Sequence, residues 1–336
     1  MINSFFTKSL VPALLCMLLL PTMSCNSDNV IFSDEPETEN PKPDDEPGDN
    51  PANSGNQAYA NKVYEWMPAP GQFINDETGG VEWPDNMTAE QACERALEKL
   101  NKQYTVSLGA FGGYIVVGFD HHIFATQNDY EIGVLGNAFE SASGSSNEPG
   151  IVYVMKDANG NGLPDDVWYE LCGSDTFSES TIRDYEVTYY RPEGPQQSVH
   201  WEDNQGEQGE IKYIGTFHSQ PTYYPVWIKE KQYTLSGTRV KSRTFFNSET
   251  GNWSNPAFDW GYADNRGSDN IEFMLPNCNR FKISNAIDAN GNSVKLDYID
   301  FVKIQTGVNA SAGHLGEIST EILGVLDLTF KAESLK

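Results

Sequence analysis

Asp157, Asn159 and Asn161 carry side-chain oxygens at alternate positions, Gly162 follows the third, and Asp165 and Asp166 close the segment. Short oxygen-bearing side chains at every second residue can converge on one hard cation, and a glycine there lets the backbone turn sharply. The segment predicts a calcium loop, with ligands from Asp157, Asn159, Asn161, Asp165 and Asp166 and from the backbone carbonyl of Leu163. Where an EF-type loop has a bidentate glutamate at its twelfth position, this chain has Trp168. The flanks are strand-like, so the expected role of calcium is structural: it would pin a loop that is otherwise costly to order. The competing reading is an Asn-Gly hairpin held by Asx turns. Asp288, Asn290 and Asn292 repeat the opening without the later acids, and there a turn is expected.

Aromatic residues beside polar turns are the second chemical signal. Rings stack on sugars or large planar ligands, and neighbouring amides and acids orient them. The segment 253–264 combines Trp253, Trp260, Tyr262 and Asp264, with Trp201 and Tyr223 as further candidates for ligand binding. Any one of these rings could equally be core.

Catalytic patterns are sparse. There is no Gly-X-Ser-X-Gly elbow and no His-Glu-X-X-His. His121 and His122 are adjacent, and neighbours on a strand point to opposite faces, so only one could serve any given site. A glycosidase needs two carboxylates at a set separation. Glu140, Glu148, Asp203, Asp264 and Glu317 are candidates only as members of a large acidic set. The expectation is a non-catalytic protein, with a β-sandwich hydrolase as an alternative.

The chain has 48 acidic and 22 basic residues, a formal charge of −26. Such acidity argues against nucleic acid, whose phosphates it would repel, and against anionic lipid surfaces. Residues 1–24 contain Lys8, an apolar run from Leu10 to Leu20 and small residues before Cys25. This reads as a secretory signal, too short for a membrane-spanning helix. It is similar to a bacterial lipobox with Cys25 as the lipidated residue. Removing it takes away one lysine and no acid, so −26 becomes −27. Cys93, Cys172 and Cys278 then remain, enough for at most one disulfide.

Residues 25–57 are rich in Asp, Glu, Asn, Pro and Ser and predict a disordered acidic tether. Residues 58–336 predict a single domain. Thr88 and Gln91 form a capping box, and Ala89, Ala92, Cys93, Ala96, Leu97 and Leu100 make one apolar stripe, predicting a helix over 88–102. Beyond it, short β-branched and aromatic runs separated by Gly, Asn, Asp and Pro predict strands near 114–119, 130–135, 151–155, 167–171, 185–190, 211–217, 223–228, 232–235, 271–275, 281–286, 294–296 and 301–305. The fold class is mostly β: a jelly-roll-like β-sandwich with one short amphipathic helix near the start of the domain. The glycine-rich run 108–114 reads as close backbone approach before a buried strand.

Several stretches together carry a resemblance: 68–73 (Pro-Ala-Pro-Gly-Gln-Phe), 108–121, Gly136 to Phe139, Glu148 to Val152, Asp157 to Glu170, Asp184 to Pro192, Phe258 to Asp264 and Ile299 to Lys303. Over about residues 63–328 the chain resembles the "cell surface protein" lipoproteins of Bacteroidetes. The resemblance implies an outer-membrane, lipid-anchored protein facing the cell exterior. It also implies genes beside TonB-dependent receptors, including those for cobalamin uptake. The expected function is capture of a small-molecule or glycan ligand, a cobamide or a glycan, for such a receptor. The expected cofactor is structural calcium. No nucleic acid is expected, and membrane contact only through the lipid anchor. A structural or adhesive surface module is the other alternative.

Overall fold

Alternation along three neighbouring strands sets the layers. Tyr298–Thr306 pairs antiparallel with both Tyr114–Phe124 and Gly150–Met155, which aligns Ile115, Ile304 and Val152 in one row and Val117, Val302 and Val154 in the next. Successive side chains on a strand face opposite ways, so Tyr114, Tyr153, Lys303 and Gln305 belong to the other face. The computed structural model describes residues 57–330 except 78–80, 83, 85, 128, 143, 217 and 274. The signal segment, Cys25 and the acidic tether up to Asn56 lie outside the described residues.

These three strands are the centre of a six-stranded antiparallel sheet, ordered Lys62–Met67, Tyr114–Phe124, Tyr298–Thr306, Gly150–Met155, Trp168–Leu171 and Ala286–Ile287. A five-stranded sheet runs Asn270–Phe273, Leu275–Phe281, Ile132–Gly136, Glu321–Asp327 and Val106–Ser107. Its Ile132, Val134, Ile322 and Val325 share one buried core with the aliphatic rows of the first. A four-stranded sheet, Gln208–Ile211, Val199–Asp203, Ile182–Tyr190 and Gln232–Arg239, joins the same core through Tyr185, Val187, Tyr189 and Leu235. The result is a mostly β sandwich, as the strand pattern predicts.

The helix spans Ala89–Asn101, capped by Thr88 with the reciprocal Gln91 bond, and buries Ala92, Ala96 and Leu100. No helix among the described residues is long and apolar enough to cross a membrane. His121 is buried between Asp120 and Asp327 while its neighbour His122 is exposed and bonds Asp300, the two-face split expected of adjacent strand residues.

Several strand expectations fail. Of 211–217 only Ile211 is in a strand among the described residues, and 281–286 is broken by a 3₁₀ turn at Ile283–Asn285. Residues 223–228 are not a strand; Tyr223 and Tyr224 are buried, and their hydroxyls donate to the carbonyls of His218 and Glu230. Their aromatic run is core filling, not sheet pairing. Residues 294–296 are also not a strand, because Asp288–Asn292 forms a tight turn whose backbone bond pairs Asp288 with Asn292. Conversely Glu321–Asp327, absent from the expected strands, pairs with Ile132–Gly136 in the middle of the five-stranded sheet.

The glycine-rich run behaves as read. Gly109 has φ +73, and a Cβ there would lie 2.0 Å from the carbonyl oxygen of Ala69. Gly160, with φ +74, has nothing within 4 Å of its would-be Cβ. Backbone strain alone then makes Gly160→Ala cost about 1 kcal/mol, whereas the added clash should raise Gly109→Ala to about 3 kcal/mol or more. Urea unfolding of the two variants checks the ordering.

Candidate functional site

At one end of the sandwich the strand Ile132–Gly136 finishes while Gly150–Met155 and Glu321–Asp327 begin. Asp264 ties these ends together. It is fully buried and holds a left-handed backbone, φ +51, which a non-glycine residue adopts only under constraint. Its Oδ1 accepts the N–H groups of Asn137 (3.0 Å) and Ala138 (2.8 Å), and its Oδ2 accepts that of Glu321 (3.0 Å). Its own carbonyl accepts the N–H of Glu148 at 3.0 Å. Gly136 makes room: a Cβ there would meet Asp264 Oδ1 at 2.8 Å.

Above this floor lies a cavity of about 340 Å³ lined by Glu148, Glu317 and Glu321, by Gln72, Asn137 and Asn255, and by Ser146 and Ser319. Phe73, Phe139, Leu315, His218 and His314 also border it; the first three are exposed large hydrophobics and form an apolar rim. Two loops interlock to make one wall. Glu317 Oε1 accepts the Gln72 N–H at 2.8 Å, and Gln72 Nε2 donates to the Leu315 carbonyl at 2.7 Å. Gly316, at φ +97, would place a Cβ 2.5 Å from that amide nitrogen. Behind the 313–315 turn, Trp253 packs against Gly313, a ring used as a support.

Two oxygens of the lining lack donors. Glu317 Oε2 and Asn255 Oδ1 are buried with no hydrogen-bond partner. Both residues are about 6 % exposed, so these oxygens have lost water without a replacement. No lysine or arginine lines the cavity among the described residues. Burial, joined by repulsion from Glu321, pushes the carboxyl of Glu317 up to about 7 despite the Gln72 N–H. Burial likewise raises Glu321 to about 7, opposed by its bond from Asn137 and by the charge of Lys99. Burial, then repulsion from Glu321, Asp264 and Glu317, holds Glu148 well above the usual carboxylate range. Asp264 is raised to about 8 by burial and Glu321, against its three backbone N–H donors. A site of close, desolvated acceptors is complementary to a ligand rich in O–H or N–H donors.

Of the five acids singled out in the sequence, Glu148 and Glu317 line this cavity and Asp264 forms its floor. Glu140 sits exposed on the strand Phe139–Ser141, and Asp203 caps a turn in the four-stranded sheet while accepting the Tyr185 hydroxyl. Glu321 escaped sequence reasoning together with its strand. The signal was there in the apolar run 322–326, which carries an acid at either end. The aromatic candidates do not assemble into a site. Tyr223 is buried in the main core, where Trp201 packs at its edge; Tyr262 is buried in a smaller cluster that Trp253 packs against. Trp260 is 38 % exposed. With ring faces taken up by packing, Tyr223 and Tyr262 offer nothing for stacking.

The loop 157–166 is exposed and closed by its own bonds. Asp157 Oδ1 accepts the N–H groups of Gly160 (2.7 Å) and Asn161 (3.2 Å), and its Oδ2 accepts that of Gly162 (2.7 Å). Asp165 accepts from the side-chain amides of Asn159 and Asn161, and Asp166 Oδ2 accepts the Ala158 N–H at 2.8 Å. Asn159 and Asn161 each make the Asx bond to the residue two further on, and Leu163 is the last N–H so held. Among the described residues no group of three or more His, Cys, Asp or Glu is spaced to hold a metal. Cys93, Cys172 and Cys278 are free thiols.

No family model matches the chain, and no curated protein matches it.

Carboxyls near 4.5 when unfolded and about 7 when folded mean that the fold binds more protons between those values. Stability should therefore fall as pH rises from 5 to 8. Melting temperatures across that window should drop by about 3 °C or more, and Glu317→Gln, which keeps the Gln72 contact, should flatten the slope and raise the melting temperature at pH 8. A flat profile in the unsubstituted chain would contradict the burial of these acids.

Proposed function

We propose that the chain is a non-catalytic, surface-anchored binding protein that captures a hydroxyl-rich glycan unit in the acidic cavity. The carrying observation is the pair of buried oxygens without partners, Glu317 Oε2 and Asn255 Oδ1, in a cavity that three glutamates line. Sugar hydroxyls supply donors in several directions, and bonds to a carboxylate are among the stronger hydrogen bonds. Phe73 and Phe139 at the mouth offer the apolar faces on which sugar rings rest. The cavity is too small to enclose a corrin, so a glycan is favoured over a cobamide. The rim hydrophobics surround a concavity, which favours capture over a flat adhesive surface.

Lipid anchoring through Cys25, outward exposure and service to a TonB-dependent receptor belong to the same proposal; the resemblance of residues 63–328 to Bacteroidetes surface lipoproteins supports them. Calcium in the loop 157–166 is proposed as a structural ion. Asp157, Asp165 and Asp166 would supply its charge, and Asn159, Asn161 and the Leu163 carbonyl its remaining oxygens.

A glycan hydrolase is the second reading. It is favoured by one observation: Glu317 and Glu321 share the cavity, and burial places both near the pKa a general acid needs at neutral pH.

Calorimetric titration with a glycan panel and with cobalamin separates these outcomes. Binding of a neutral glycan is expected, weakened about 10-fold or more by Glu317→Gln; silence across both ligand sets would sink capture. Release of reducing ends from the same panel, abolished by Glu317→Gln or Glu321→Gln, would replace capture by hydrolysis. Chelation is expected to lower the melting temperature, and calcium to restore it, in the unsubstituted chain but not in Asp165→Ala. Identical melting with and without chelator would leave the loop as a self-bonded Asx turn.

A further inference from the structure

A second cavity, of about 210 Å³, lies on the other face of the six-stranded sheet, where Tyr153, Lys303 and Gln305 meet Ser236, Gly237 and Thr238 of the four-stranded sheet. Trp168, Glu170, Arg183 and the turn at Asp288 complete its wall. Unlike the first it also holds bases: Lys303 and Arg183 line it together with Glu170, Asp184 and Asp288. In a chain with 48 acids and 22 bases, two of the bases converge here, and neither makes an ion pair among the described residues. Lys303 Nζ lies against two ring faces, 4.4 Å from the centroid of Tyr114 and 5.1 Å from that of Tyr153. Desolvation pulls its ammonium down to about 8, opposed by the charge of Glu65.

Arg183 spends one nitrogen on the Asp288 carbonyl, at 3.4 Å, and its Nη2 is buried with no partner. Glu170 is 7 % exposed; its Oε2 accepts the Thr238 hydroxyl at 2.5 Å, and its Oε1 has no partner. Arg183 is near enough to act on the Glu170 charge, yet the two make no ion pair, so neither vacancy fills the other. Fixed neighbours keep the cavity open. Gln305 Nε2 is held by the carbonyls of Gly112 and Ser236, and a Cβ on Gly237 would fall 2.0 Å from Gln305 Oε1. Left as it stands, the arrangement leaves a partly desolvated lysine without a direct ion pair and two buried polar atoms unsatisfied, each a cost to folding.

We propose that this cavity binds a small hydroxycarboxylate. Its carboxylate is held by Lys303 and the free Nη2 of Arg183, and its hydroxyl donates to Oε1 of Glu170. A carboxylate offers lone pairs to both cations at once, and the hydroxyl supplies the donor that Glu170 lacks. The site is separate from the acidic cavity and does not depend on its glycan reading.

The test is melting and calorimetric titration with L-malate, against succinate, which lacks the hydroxyl, and against sodium chloride and sulfate at matched ionic strength. Saturable stabilisation by malate is expected, with affinity about 10-fold above that for succinate. Lys303→Met should raise the melting temperature of the ligand-free protein, because a desolvated charge is removed from between two rings, and should abolish the malate response. Arg183→Gln, at a half-exposed position that folding tolerates, should weaken malate at least 10-fold. Several results overturn the proposal: no saturable response, a response equal to that of the matched salts, malate no better than succinate, or a malate response that survives either substitution. A purely structural Lys303 would show the reverse pattern in Lys303→Met, lower stability with no effect on binding.

Discussion

Asp264 is the constraint on which the candidate site rests. One buried acidic residue, in a backbone conformation that disfavours any side chain, takes the N–H groups of Asn137, Ala138 and Glu321 on its side-chain oxygens and offers its backbone carbonyl to Glu148. Those four residues come from three separate strand ends. Without the clamp, nothing would oblige the end of Ile132–Gly136 and the starts of Gly150–Met155 and Glu321–Asp327 to keep a common depth. Glu148 and Glu321 would then not face the same cavity. The left-handed φ is the strain that this arrangement stores, and three hydrogen bonds to one carboxylate offset it.

The same clamp explains how the fold tolerates a cluster of acids. Repulsion between close carboxylates and loss of their hydration both disfavour the ionised state. Protons relieve this below about pH 7, where Glu317 and Glu321 stay neutral. Above that, only the rigidity of the surrounding frame keeps the groups together. The interlock of Gln72 with Glu317 and Leu315, seated by Gly316, provides it on one side, and the Trp253 packing behind Gly313 provides it on the other. The proposed hydrogen-bond-donating ligand would substitute for the lost water, so that stability given up in the free protein would reappear as affinity.

Much of the scaffold was legible from local pattern. The helix announced itself through Thr88, Gln91 and a single apolar stripe, because its signals are all within a few residues of each other. Four strands of the six-stranded sheet were legible because they alternate or run apolar between turn residues; the edge strands Lys62–Met67 and Ala286–Ile287 were not. The candidate site was not, since its members are distant in sequence: Gln72, Glu148, Asp264 and Glu317 meet only through tertiary pairing. The acids among them looked like any others in a chain with 48. Tyr223 and Tyr262 misled for the matching reason. A ring beside a polar turn has the same local signature whether it stacks on a ligand or fills the core, and only burial distinguishes the two. The loop 157–166 shows a related ambiguity, because alternate oxygens serve an Asx ladder as well as they serve a cation.

The two cavities together give the charge balance a spatial logic. On a surface this acidic, an isolated lysine or arginine would ordinarily find a carboxylate, as Lys156 does with Asp297 and Arg243 with Asp175. Lys303 and Arg183 are kept from that by position. Lys303 stands in the middle of a central strand between tyrosine rings, and Arg183 is turned to the Asp288 carbonyl. In the acidic cavity carboxylates are assembled where, among the described residues, no lysine or arginine lines the wall. Both arrangements destabilise the free protein by the same physical route, a polar or charged group desolvated without its partner. In a sandwich whose aliphatic rows could have been extended at either place, ligand binding is the function we propose to offset such costs.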